Sequence, residues 1–85
     1  MPYREVFDVI AERVKAVVAG QFDVEEDEIT NELSFSELGA DQLDVAELLE
    51  ALSDEFEVEI PAECADNIET VGDAISCVKK YLRNG

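Results

Sequence analysis

Apolar residues along this chain recur at steps of three and four nearly throughout, the spacing of a helix that buries one stripe. From Tyr3 to Ala19, the residues Val6, Ile10, Val14 and Val17 fall on one face, and Gly20 reads as the stop. The segment from Asp41 to Phe56 has the cleanest pattern, with Val45, Leu48, Leu49, Leu52 and Phe56 on a single stripe. Asp41 suits the N-cap of that helix, and Asp44, three residues on, closes a weak capping box. A third stripe comprises Val71, Ala74, Ile75, Val78 and Leu82. Thr70 and Asp73 are its cap, while Lys79, Lys80 and Arg83 suit the negative end of the helix dipole. Pro61 reads as the first position of a short helical turn over Ala62 to Asp66. No segment sustains period-two alternation, so no sheet is predicted.

The stretch from Gln21 to Ala40 is long for a connection in so small a domain. Phe22, Val24, Ile29, Leu33, Phe35 and Leu38 recur along it, which predicts an ordered loop packed over one end of the helices, with a short helical turn. The predicted fold is all-α: an irregular four-helix bundle of three main helices plus one short helix, with a long ordered loop after the first. It forms a single domain over residues 1–85, with no internal repeat.

Charge changes the picture of what such a bundle could meet. Six Lys and Arg stand against 22 Asp and Glu, a net charge of −16. Phosphate backbones and anionic lipid repel a chain this acidic, so nucleic acid and membrane are poor partners, while basic proteins, basic patches and divalent cations stay open. With 47% hydrophobic residues, the charge sits on a folding chain rather than a disordered tail. The bases lie at the two ends, as Arg4, Arg13, Lys15, Lys79, Lys80 and Arg83, and every acid except Glu5, Asp8 and Glu12 lies between Lys15 and Lys79. The absence of a membrane-length apolar run and of an export-signal pattern makes the cytoplasm the expected location. A monomer is expected for so charged a small domain. Cys64 and Cys77 read as small buried or half-buried hydrophobes rather than a disulfide framework.

Catalytic chemistry is hard to place. Without histidine there is no Ser-His or Cys-His arrangement and no His-bound metal, and no phosphate-binding fingerprint is present. The run Glu25-Glu26-Asp27-Glu28 lacks the spacing and central Gly of a calcium loop. We therefore expect no enzyme activity. The informative feature is the outer face of the second main helix, where Asp44, Glu47, Glu50 and Asp54 project opposite the apolar stripe. Leu43 projects among them, and an apolar side chain beside carboxylates at a helix start points to a docking surface. The plainer alternative has Leu43 folded back onto the preceding loop.

Leu38-Gly39-Ala40-Asp41-Gln42-Leu43-Asp44, followed by Val45-Ala46-Glu47-Leu48-Leu49, resembles the signature of the acyl carrier protein family. Phe56-Glu57-Val58-Glu59-Ile60-Pro61 and Ile68-Glu69-Thr70-Val71-Gly72-Asp73-Ala74-Ile75 resemble two further segments of that family, and Ile10 to Thr30 its first helix and loop. The resemblance implies a four-helix carrier fold that presents acyl chains to fatty acid or polyketide synthase enzymes. It also implies a 4′-phosphopantetheine group placed by a phosphopantetheinyl transferase. Its recognition strip carries over as Asp41, Leu43, Asp44, Glu47 and Asp54, with Glu50 changed from the apolar contact residue usual there. The segment from Phe35 to Gly39 is one residue shorter than is common, and the N-terminus runs several residues past the usual start.

The departure with chemical weight is Gln42, which stands where the family has the serine that carries the prosthetic group. A serine hydroxyl attacks a phosphate of coenzyme A and becomes a phosphodiester, whereas an amide is no nucleophile. Ser34, Ser36, Ser53 and Ser76 are present, but none precedes Leu-Asp at a helix start. Ser36 is the nearest of them and reads as a loop hydroxyl. The expectation is an acyl-carrier-protein-like domain that docks through its acidic helix and carries no 4′-phosphopantetheine. Two alternatives stay open: a working acyl carrier whose serine has been exchanged for Gln, and an acidic helical interaction module with an unrelated partner.

Overall fold

In the computed structural model of the chain, residues 2–84 are described, with side chains over 9–82. The placement expected for Arg4, Val6 and Arg83 lies outside those described side chains. The first helix, α1, spans Pro2–Phe22. Val14 and Val18, one turn apart, are fully buried, and Ile10 and Val17 are half-buried at the edge of that stripe. The buried face therefore centres one step along from the predicted one.

Gly20 does not stop α1, contrary to the sequence reading. A lone glycine costs a helix only about 1 kcal/mol, and Phe22 just beyond it repays that by packing against Phe35, ring centroids 6.1 Å apart. The stop falls at Asp23, which turns left-handed at φ 59°. The N–H of Val24 then donates back to the carbonyl of Ala19 at 3.1 Å, a Schellman closure.

The long connection is ordered, as expected, and holds two short 3-10 turns, Glu26–Glu28 and Phe35–Leu38. Ile29 and Phe35 anchor it in the core. Ser34 and Glu37 form a reciprocal capping box around the second turn. The loop is then clamped to the strip of chain that enters the last helix. The N–H of Phe35 donates to the carbonyl of Glu69 at 2.9 Å, and that of Val71 to the carbonyl of Leu33 at 2.9 Å. The N–H of Gly72 reaches the carbonyl of Asn31 at 2.8 Å. A Cβ on Gly72 would stand 3.0 Å from that same oxygen, so any side chain there would press the clamp apart by a few tenths of an ångström. These contacts make one isolated antiparallel bridge, Ser34 with Thr70, and no strand occurs among the described residues.

Helix α2 spans Gln42–Phe56 and α3 spans Val71–Asn84. Between them the chain makes a 3-10 turn, Ala62–Asn67. Pro61 precedes this turn as its N-cap, with ψ 146°, rather than forming its first position. The core is drawn from all three helices and both connections: Val14, Val18, Leu48, Leu52, Val71 and Val78 are fully buried at its centre. Thr70 and Asp73 cap α3 as expected, with the N–H of Asp73 donating to Thr70 Oγ1 at 3.2 Å. The Asp73 carboxylate accepts from the N–H groups of Glu69 and Thr70, which holds its pKa below the ordinary carboxylate value.

Glu57 ends α2 in the left-handed conformation, φ 56°, with the N–H of Val58 closing onto Ser53 at 3.1 Å. A side chain bearing Cβ is strained there, and glycine is not. Glu57→Gly is expected to raise stability by about 0.5–1 kcal/mol net of the extra chain entropy of glycine. Urea unfolding measures this, and a destabilised variant would show that the Glu57 side chain contributes more than its strain.

Candidate functional site

The site suggested by the sequence is built on the first turn of α2. Gly39, left-handed at φ 79°, turns the chain out of the Phe35–Leu38 turn, and the N–H of Ala40 folds back onto the carbonyl of Phe35 at 3.0 Å. That geometry delivers Asp41 to the helix start. Asp41 Oδ1 accepts from the N–H of Asp44 at 3.0 Å, and Asp44 Oδ2 accepts from the N–H of Asp41 at 3.1 Å. The capping box is thus complete in both directions. Both carboxylates also sit at the positive end of the helix dipole, which favours their negative charge.

Gln42 is the first residue of α2 and its side chain is exposed. Leu43 is 66% exposed, so it does not fold back onto the loop. Glu47 and Glu50 are exposed on the following turns, while Asp44, tied into the cap, is half-buried. Asp54 is also exposed but lies roughly 18 Å along the helix from Gln42 at 1.5 Å per residue. It borders a different groove, beside Ser53, Glu57, Ile60 and Pro61. Asp41, Gln42, Leu43, Asp44 and Glu47 therefore group around the helix start, Glu50 extends the strip, and Asp54 stands at its far end.

The structure adds a feature that spacing did not disclose. An open groove of roughly 550 Å³ lies beside Gln42, walled by Phe35 and Val45 and by Ala65 and Ile68. Ser34, Ser36 and Glu69 supply its polar rim. The two serine hydroxyls meet each other at 3.0 Å, and Ser34 also accepts from the N–H of Glu37 as a cap. These residues meet only because the clamp brings the loop against the entry to α3, and no local pattern encodes that pairing. At the other end of α2, Arg13 is committed to Glu55, its Nη2 2.6 Å from the carboxylate, and lies over the Phe56 ring at 5.0 Å. No local spacing marks this contact, which ties α1 to the C-terminal turn of α2 across 42 residues of sequence.

Among the described residues no three His, Cys, Asp or Glu side chains converge as metal ligands, and no helix is long and apolar enough to cross a membrane. What the geometry offers is a presenting surface: a rigidly capped helix start, one exposed leucine, a strip of carboxylates and an adjacent half-apolar groove.

Residues 12–78 match the family described as the phosphopantetheine attachment site. Among solved structures, the chain is similar to an acyl carrier protein from Thermotoga maritima, with a TM-score of 0.78 and 27% identity over 92% of each chain.

Proposed function

The chain belongs to the phosphopantetheine attachment family and has the acyl carrier protein fold, and from that premise we propose that it docks on synthase enzymes through α2 without carrying the prosthetic arm. Domains of this family are carriers rather than catalysts, acyl carrier proteins work with synthase enzymes, and 4′-phosphopantetheine is the family's cofactor.

The observation that carries the proposal is the side chain at the first position of α2. Gln42 presents an amide where the resemblance puts the attachment serine. An amide cannot attack the phosphate of coenzyme A, so the residues at this helix start do not fit covalent attachment of the arm. The neighbouring hydroxyls do not make good the loss. Ser34 is held as a cap, and Ser36 belongs to a four-residue 3-10 turn rather than to the start of an α-helix.

The rest of the presenting surface supports docking. Asp41, Leu43, Asp44, Glu47, Glu50 and Asp54 give it one apolar contact within a negative strip, complementary to a basic enzyme surface. In this reading the partners are fatty acid or polyketide synthase enzymes with basic surfaces, and a phosphopantetheinyl transferase can still engage the helix. The net charge of −16 favours a monomer through self-repulsion, and the reading places the protein in the cytoplasm.

The test is an incubation with a phosphopantetheinyl transferase and coenzyme A, read by intact mass. The chain as it stands should gain nothing, and Gln42→Ser should gain one phosphopantetheine group. A gain on the unaltered chain would overturn the reading of Gln42. Failure of both proteins to react would instead overturn recognition by the transferase.

A further inference from the structure

Cys64 and Cys77 lie away from the docking strip. Cys64 sits in the Ala62–Asn67 turn and Cys77 in α3, both half-buried and both free thiols. Sequence spacing gave no reason to pair them, yet the turn folds back on α3 and brings the two sulfurs within 2.8 Å. A covalent S–S bond is about 2.05 Å long, so joining them requires less than an ångström of movement. The pair borders a small groove of roughly 230 Å³, whose rim includes Asn67, Ser76 and Lys80. The rim carries charges of both signs, the Lys80 ammonium and the Asp73 carboxylate.

We propose that Cys64 and Cys77 form an oxidative modification site, which a low-molecular-weight disulfide converts into an internal disulfide fastening the turn to α3. Cys64, whose S–H donates to the Tyr81 hydroxyl at 3.9 Å, loses its proton to water, and the thiolate attacks one sulfur of the small disulfide, forming a mixed disulfide and releasing the first small thiolate. Cys77 then loses its proton to water and attacks Cys64 Sγ, displacing the second small thiolate. Two protein thiols are oxidised to one disulfide, and one small disulfide is reduced to two thiols. The order follows from the contacts. The Cys77 S–H donates to Cys64 Sγ, and burial, followed by that bond, pushes the Cys77 pKa up to about 12. Cys77 thus keeps its proton until Cys64 carries a leaving group. Proximity then makes ring closure faster than attack by a second reagent molecule.

Closing this loop constrains the unfolded chain, and melting should rise by on the order of 10 °C. The experiment uses the full chain with oxidised glutathione and follows intact mass, free thiols and melting temperature. The expected product is a monomer lacking two hydrogen atoms and both thiols, with the raised melting temperature reversed by a reductant. Amide exchange over residues 62–68 should slow in the same product. Cys77→Ser should stop at a single glutathione adduct on Cys64, and Cys64→Ser should gain none over the same time; rapid glutathione capture by Cys64→Ser would overturn the order of attack. A persistent adduct on the unaltered chain, a disulfide-linked dimer, or an internal bond without a rise in melting temperature would overturn the proposal. None of these readouts depends on Gln42 or on docking.

Discussion

Replacing Glu47 and Glu50 together by lysine is expected to weaken association with a basic synthase partner by roughly a hundredfold at low salt. Both side chains are exposed on the outward face of α2, and neither takes part in its cap. The double change shifts the strip by four charge units. At about 0.7 kcal/mol per unit, typical of an exposed ion pair, the loss is about 2.8 kcal/mol, or two factors of ten. Lysine and glutamate have similar helix propensities, so the fold should be unchanged by circular dichroism. Asp44 is spared because its carboxylate holds the N–H of Asp41, and reversing it would damage the helix start along with the surface. Titration calorimetry at low and high salt reads the result, and the difference between the two proteins should shrink as salt rises. Unchanged affinity with no salt dependence would mean that the interface lies elsewhere.

The second large effect is on stability. Leu48→Ala should cost about 3–4 kcal/mol, because Leu48 is fully buried on α2 among the residues contributed by α1 and α3. A domain of 85 residues has about 4–13 kcal/mol in total, so the variant loses a large share of its margin. The melting temperature should fall by roughly 15–25 °C. Repulsion among the carboxylates thins the margin further, so the comparison belongs at one fixed, moderate salt concentration. A cost near that of a surface substitution, below about 0.5 kcal/mol, would mean that α2 does not pack through this side chain as described.

What could be read from the sequence was what short-range physics encodes. Helix α2 was legible end to end because a capping residue, a regular apolar stripe and a charged face all agree on one segment. Its exposed Leu43 followed from the same projection. The end of α1 was not legible: the helix passes through Gly20 and stops at an aspartate in the left-handed region, a position that composition rarely marks. Val18 was missed for a related reason, since the Ala16-to-Ala19 run is apolar nearly all round and periodicity cannot choose its inner face. The groove beside Gln42 and the Cys64–Cys77 pair depend on contacts between segments far apart in the chain, so spacing alone could not disclose them. For the site, the helix-borne residues were visible in the sequence, and the walls of the groove were not.

The clamp between residues 31–35 and 69–72 also decides where the chain can change length. Gly72 leaves no slack against Asn31, and the segment from Ser34 to Asp41 is held at both ends, by the bridge to Thr70 and by the cap of α2. An inserted residue there would rotate Gln42 and Leu43 away from their present bearing relative to the groove. The acidic turn at 25–28 is exposed and holds none of the core, so it can bulge outward without moving α2. A reporter peptide or an affinity handle therefore belongs between Glu25 and Glu28, where it leaves the presenting face of the domain undisturbed.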